Sequence, residues 1–206
     1  MFTDTYRPSG KSSLILSILR LLELRSGTIR VDGLDLATLP RQKIRSSLTT
    51  IPQDPVKMTG TVRHNLDPEG KVQSDDVYAD VLRKTAIWPV IEGRGGLDAD
   101  LSELGFSVGQ QQLFCLARAL LLRNRIVLLD ESTSSVDGTT DREIRRIVTD
   151  EMKDKTVIEV LHRLDIVEEF DLVIVMGQGS VLEAGAPKEL LSRQSELRRL
   201  VGNKGV

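Results

Sequence analysis

Apolar residues at Leu14, Ile15, Ile18, Leu19, Leu21 and Leu22 recur on one helical face. They predict a helix from Ser12 or Ser13 to about Leu24, stopped by Ser26-Gly27. Thr28 to Gly33 alternates like a short strand ending in a turn, and Ser47 to Ile51 reads as another, halted by Pro52 and Pro55. From Val56 to Gly109 strongly β-branched runs disappear and helical spacing takes over around Asp75 to Lys84, which predicts a mostly helical lobe. The second half reads as a helix over Gln110 to Leu122, a buried strand at Ile126 to Leu129, a helix over Thr140 to Met152 and a strand at Thr156 to Leu161. A short helix after His162 follows, then a strand at Leu172 to Met176, a turn at Gly177-Gln178-Gly179, a strand at Ser180 to Glu183 and a closing helix begun by Pro187. Apolar strands alternating with helices predict an α/β fold with a sheet covered on both faces.

Composition narrows the class without naming a chemistry. A chain of 206 residues with 40% hydrophobic and 28% charged residues can bury one substantial core, which excludes disorder and collagen-like repeats. The longest clean apolar run, Leu172 to Met176, is far short of the roughly 20 residues a membrane-spanning helix needs. A net charge of −2 gives no general pull toward nucleic acid, and none is expected as a partner. Met1-Phe2-Thr3-Asp4 lacks the basic and apolar regions of a signal peptide, so the chain by itself is expected to be soluble in a cytosolic compartment. Cys115 lies in an apolar-periodic stretch and reads as a packing residue, His64 as a surface residue and Trp88 as packing of the helical lobe.

The first candidate chemistry is Ser9-Gly10-Lys11-Ser12, with Ser13 following, which ends the phosphate-loop pattern G-x-x-x-x-G-K-[ST]. Glycine lets the backbone approach a phosphate, amide N–H groups at a helix N-terminus attract its charge, lysine reaches the β- and γ-phosphates, and the Ser12 hydroxyl can ligate Mg²⁺. Taken alone, the fragment also reads as a Ser-capped helix with a surface lysine. Ile126 to Leu129 then ends in Asp130-Glu131, an acidic pair at the carboxyl end of a buried strand; its plain alternative is a solvated acidic turn. In the phosphate reading Asp130 holds the Mg²⁺ shell and Glu131 polarises the attacking water. Gln53, after one strand, is a candidate for the metal or the attacking water, and His162, after another, for the γ-phosphate.

Phe106-Ser107-Val108-Gly109-Gln110-Gln111-Gln112-Leu113 resembles the L-S-G-G-Q signature of ABC-type ATPases. With it the motifs stand in the family's order: phosphate loop, Gln53, signature at Ser107 to Gln110, Ile126 to Asp130 followed by Glu131, D-loop Ser134-Ser135-Val136-Asp137, and His162. Asn65-Leu66-Asp67-Pro68, Gly95-Gly96-Leu97-Asp98 and Cys115 to Leu120 resemble the second nucleotide-binding domain of C-subfamily transporters, the multidrug-resistance-associated type. The resemblance implies a P-loop NTPase fold with a RecA-like core at 1–55 and 113–206 and a helical lobe inserted at 56–112, the signature at its end. It also implies ATP with Mg²⁺, and a head-to-tail partner ATPase domain for which Ser107, Val108, Gly109, Gln110 and Asp137 act in trans. Transmembrane domains of an exporter, driven by ATP-dependent closure and hydrolysis, would hold the chain at the cytoplasmic side of a membrane.

Two departures qualify that expectation. Thr5 and Pro8 stand where the loop pattern expects glycines, and Pro8 has no N–H to give a phosphate. Family members carry further residues before this loop, including the strand that feeds it, so the chain reads as N-terminally truncated with that strand missing and a sheet edge exposed. The competing expectation is therefore a degenerate nucleotide-binding fragment without turnover, acting at most as an interaction domain.

Overall fold

The computed structural model describes residues 2–3, 10–52, 58–72, 74–130, 136–161 and 163–202. Its first elements are β1 (Phe2–Thr3), α1 (Lys11–Ile18), β2 (Arg30–Val31), β3 (Leu34–Asp35), α2 (Arg41–Ser47) and β4 (Leu48–Ile51). Helices α3 (Val62–Leu66), α4 (Asp75–Lys84), α5 (Trp88–Glu92) and α6 (Val108–Leu121) follow, then β5 (Ile126–Asp130), α7 (Gly138–Glu151) and β6 (Thr156–Val160). The chain closes with β7 (Val173–Gly177), β8 (Ser180–Gly185), α8 (Pro187–Ser192) and α9 (Glu196–Gly202). Two compact units divide it: Met1–Leu48 with Ile158–Val206, and Thr49–Val157.

In the first unit the strand order is β6-β1-β7-β8. Phe2 stands opposite Val160 of β6 and Ile174 of β7, parallel to both, while β7 and β8 form an antiparallel hairpin. Phe2 and Thr3 thus take a strand position between β6 and β7, although further N-terminal strands were expected to be missing. Two residues are enough, because the facing edges of two parallel strands leave N–H and C=O groups that any short extended segment can pair. Helix α1 is also shorter than its apolar spacing predicts. Arg20 takes a left-handed φ of 49°, and its Nη1 donates to the carbonyls of Leu36, Ala37 and Leu39, so a distant turn captures the residue that would have continued the helix. The strand expected at Thr28 to Gly33 is the first arm of a hairpin. Asp32 and Gly33, with φ of 50° and 79°, make the positive-φ pair that a two-residue β2–β3 connection needs. Leu161, Leu164, Val173, Val175, Leu190 and Leu197 form the apolar core of this unit.

In the second unit α4 runs over Asp75 to Lys84, the span its spacing predicts, because local signals agree. Ser74 caps it, Asp75 and Asp76 lie in its first turn, and Arg83 and Lys84 in its last, each sign matched to the helix dipole. Val62, Leu66, Tyr78, Leu82, Ile91, Leu104 and Phe114 pack one cluster, and Ile51, Leu113, Leu116, Val127, Leu129, Ile144 and Ile147 another. Helix α6 supplies side chains to both, which explains why it is apolar on nearly every face. Cys115 sits in the second cluster, where burial pushes its thiol up and away from nucleophilic chemistry.

Candidate functional site

Gly10 opens α1 with φ 92° and ψ 4°, a left-handed conformation that side-chain-bearing residues resist. A Cβ there would meet only ordinary contacts, at 3.5 Å from Gly179 and 3.6 Å from Met176, so the backbone angle is what calls for glycine. Among the described residues Gly10 provides no side-chain cap for this helix and no acidic residue stands in its first turn, which suits a helix N-terminus that meets an anion. Lys11 is buried at 5% exposure, while Ser12 and Ser13 are exposed. Ser9, Thr5 and Pro8 lie outside the described residues.

The signature segment begins α6 with a capping box. Ser107 Oγ accepts the Gln110 N–H at 3.2 Å, and Gln110 Oε1 accepts the Ser107 N–H at 3.0 Å. Val108 is exposed and Gly109 buried. In the same unit β5 carries buried Val127, Leu128 and Leu129 and ends at half-buried Asp130. Asp137 caps α7: its Oδ2 accepts the Thr140 hydroxyl at 2.7 Å, and its Oδ1 accepts the N–H groups of Thr139 and Thr140 at 2.9 and 3.0 Å. The Thr140 side chain, followed by these amides, holds the Asp137 carboxyl below its ordinary range. Gln53, Glu131, His162 and the D-loop serines Ser134 and Ser135 lie outside the described residues.

A pH dependence follows from the cap. A carboxyl whose folded value is depressed stabilises the fold fully above its unfolded value near ~4 and loses that contribution as pH falls through the lower folded value. Thermal unfolding from pH 7 to pH 3 is expected to show the midpoint gap between the natural chain and Asp137→Ala narrowing on acidification. A gap that stays constant would remove Asp137 as a charged cap.

Two residues to which the sequence assigned no role emerge from the packing. Asn65, fully buried, has a side chain that accepts the Met58 N–H and donates to the Met58 carbonyl, both at 2.9 Å, and it also accepts from Arg118 Nη2 at 2.9 Å. Thr140 faces Gly109. Spacing in the sequence does not show the pairing of Asn65 with Arg118 or of Thr140 with Gly109, because those partners lie on other elements.

Residues 7–134 match the family described as ABC transporter. The chain belongs to the ABC transporter family. It is 46% identical over 186 residues to ABC transporter ecdL of Aspergillus rugulosus, covering 90% of this chain and 12% of that protein. Over 186 residues it is 41% identical to ABC multidrug transporter B of Aspergillus fumigatus, covering 90% and 13%. It is 42% identical over 192 residues to human ATP-binding cassette sub-family C member 8, covering 92% and 12%, in keeping with the C-subfamily resemblance. The chain thus spans about an eighth of the length of these relatives. A bacterial Atm1-family ABC exporter with ATP bound superposes with a TM-score of 0.88 at 25% identity, over 100% of this chain and 36% of that one. The mixed α/β architecture with parallel strands is that of an ABC transporter's ATP-binding domain. Among the described residues no helix is long and apolar enough to cross a membrane.

Proposed function

We propose that this domain binds and hydrolyses ATP for an ABC exporter, closing head to tail on a second ABC ATPase domain and thereby moving transmembrane domains that hold it at the cytoplasmic side of the membrane. The observation that carries the reading is Gly10 in its left-handed conformation at the start of α1, directly before Lys11, within a chain of this family. Ser9, Gly10, Lys11, Ser12 and Ser13 bind the phosphates, with Lys11 balancing the β- and γ-charges. Ser12, Gln53 and Asp130 supply the hard oxygen ligands that suit Mg²⁺. When bound, Mg²⁺ neutralises charge on the transferred phosphoryl group. Glu131 takes the proton of the attacking water, Gln53 orients that water and His162 contacts the γ-phosphate. Ser107, Val108, Gly109 and Gln110, with Asp137, act on the partner's nucleotide, the α6 N-terminus favouring its negative charge.

The reading is tested by titrating Mg-ATP into the purified chain, beside Lys11→Ala and a Thr5→Gly/Pro8→Gly variant. Micromolar to low-millimolar binding is expected for the natural chain. Lys11→Ala should weaken it by about tenfold or more, as befits the loss of a charge-assisted contact. Thr5 and Pro8 favour a second reading, a fragment without turnover that serves as an interaction domain. Binding by the repaired variant alone would select that reading, and binding by neither would reject the ATPase assignment.

A further inference from the structure

Gly109 lies in the first turn of α6 without a positive φ, so its backbone would accept alanine, and a helix prefers alanine to glycine. What excludes a side chain is room. A Cβ at Gly109 would stand 2.8 Å from Thr140 Cγ2 and 2.9 Å from Thr140 Oγ1, closer than real Cβ contacts come, and 3.2 Å from Thr140 Cβ, tighter than most. Thr140 cannot readily swing away, because its hydroxyl donates to Asp137 Oδ2 at 2.7 Å and its own N–H donates to Asp137 Oδ1 at 3.0 Å. A β-branched side chain with its hydroxyl committed has its rotamer fixed, here with both Cγ2 and Oγ1 toward Gly109.

We propose that Thr140 is a positioning residue that locks the N-terminal end of α6, with Ser107 and Gln110, to the N-terminal end of α7, with Asp137, so that the signature segment and Asp137 meet a partner's nucleotide together. The proposal rests on the reading that both segments act in trans, and it assigns Gly109 a reason to be glycine that is independent of nucleotide approach. Thr140 links the two segments through a single side chain: both branches fill the space against Gly109, and the hydroxyl branch also fixes Asp137. A displacement of either helix end is then shared by both.

The experiment compares the natural 206-residue chain with Gly109→Ala, Thr140→Gly and the double variant. It reads self-association driven by a non-hydrolysable Mg-ATP analogue in the ultracentrifuge, and urea unfolding. Thr140→Gly is expected to weaken association by about tenfold or more by freeing Asp137 and the α6 end, and Gly109→Ala to weaken it through the overpacked contact. The double variant should be weakened by less than the product of the two, because the clash is gone once Thr140 is removed. Thr140→Ser, which keeps the Asp137 bond but lacks the methyl, is expected to associate more strongly than Thr140→Gly. If Thr140→Gly associates as tightly as the natural chain, the contact is structural only and the positioning role is overturned. Additive effects of the two substitutions on both readouts overturn the contact itself. A natural chain that does not associate under these conditions defeats the two-domain reading instead, and the positioning role falls with it.

Discussion

Glu131→Gln is expected to leave Mg-ATP bound and to slow its hydrolysis by about 10²- to 10⁴-fold, the usual contribution of a positioned general base. Glutamine keeps the size and most of the hydrogen-bonding shape of the side chain but cannot accept the proton of the attacking water. Binding is spared in this reading because it rests on Gly10 to Ser13 and on the oxygens of Ser12, Gln53 and Asp130. Asp130→Asn should behave differently, raising the Mg²⁺ concentration needed for binding, since a neutral amide is a weaker ligand for a hard cation. Single-turnover phosphate release at saturating Mg-ATP separates the two variants. Release by Glu131→Gln at the rate of the natural chain would remove the catalytic assignment.

Asn65→Ala is expected to cost ~3–5 kcal/mol of folding stability, a large share of the ~5–15 kcal/mol available to a domain. The Asn65 side chain is fully buried and serves both polar groups of Met58 in the manner of a backbone strand. It donates further to the carbonyls of Gly60 and Thr61, at 3.3 and 3.1 Å. Arg118, on α6, donates to Asn65 through Nε to the backbone carbonyl and through Nη2 to Oδ1, while its guanidinium lies 5.2 Å from the Phe114 ring centre. Alanine would leave the Met58 N–H and C=O buried without that partner and take one acceptor from a largely desolvated cation, which is why the cost exceeds that of an ordinary lost hydrogen bond. Asn65→Asp should be comparably damaging despite its shape, because a carboxylate turned toward three carbonyls can donate to none of them. Urea unfolding measures both; a loss below about 1 kcal/mol for Asn65→Ala would mean that water replaces the amide.

Much of the architecture was legible in the chain because local forces decide it. Helix α4 matches its periodicity residue for residue, with Ser74 at its start and charges that agree with the dipole. Strand β5 is a short apolar run bounded by polar residues, and α6 and α7 begin within two residues of their predicted starts because Ser107 and Asp137 are strong caps. The motifs of the candidate site were legible for the same reason. Gly10-Lys11-Ser12, Ser107 to Gln110 and Asp130-Glu131 are short segments whose chemistry resides in neighbouring residues.

What the chain concealed depends on partners distant in sequence. Apolar spacing alone carries α1 to Leu24, but the carbonyls of Leu36, Ala37 and Leu39 hold Arg20 and end the helix at Ile18. Residues Phe2 and Thr3 carry no strand signal of their own; β6 and β7 make them one by offering edges on both sides. Asn65 stands in a segment typical of the family but shows no structural role until Arg118 reaches it, and Thr140 reads as an ordinary helix residue until Gly109 of another helix packs against it. The family and the α/β class could be read from the chain alone, because motifs and apolar periodicity are written in consecutive residues. Where helices stop, which glycine is demanded by its own backbone and which by a neighbour, and which buried polar group ties two helices together emerge only on folding, because each is settled by the distance between atoms that folding brings together.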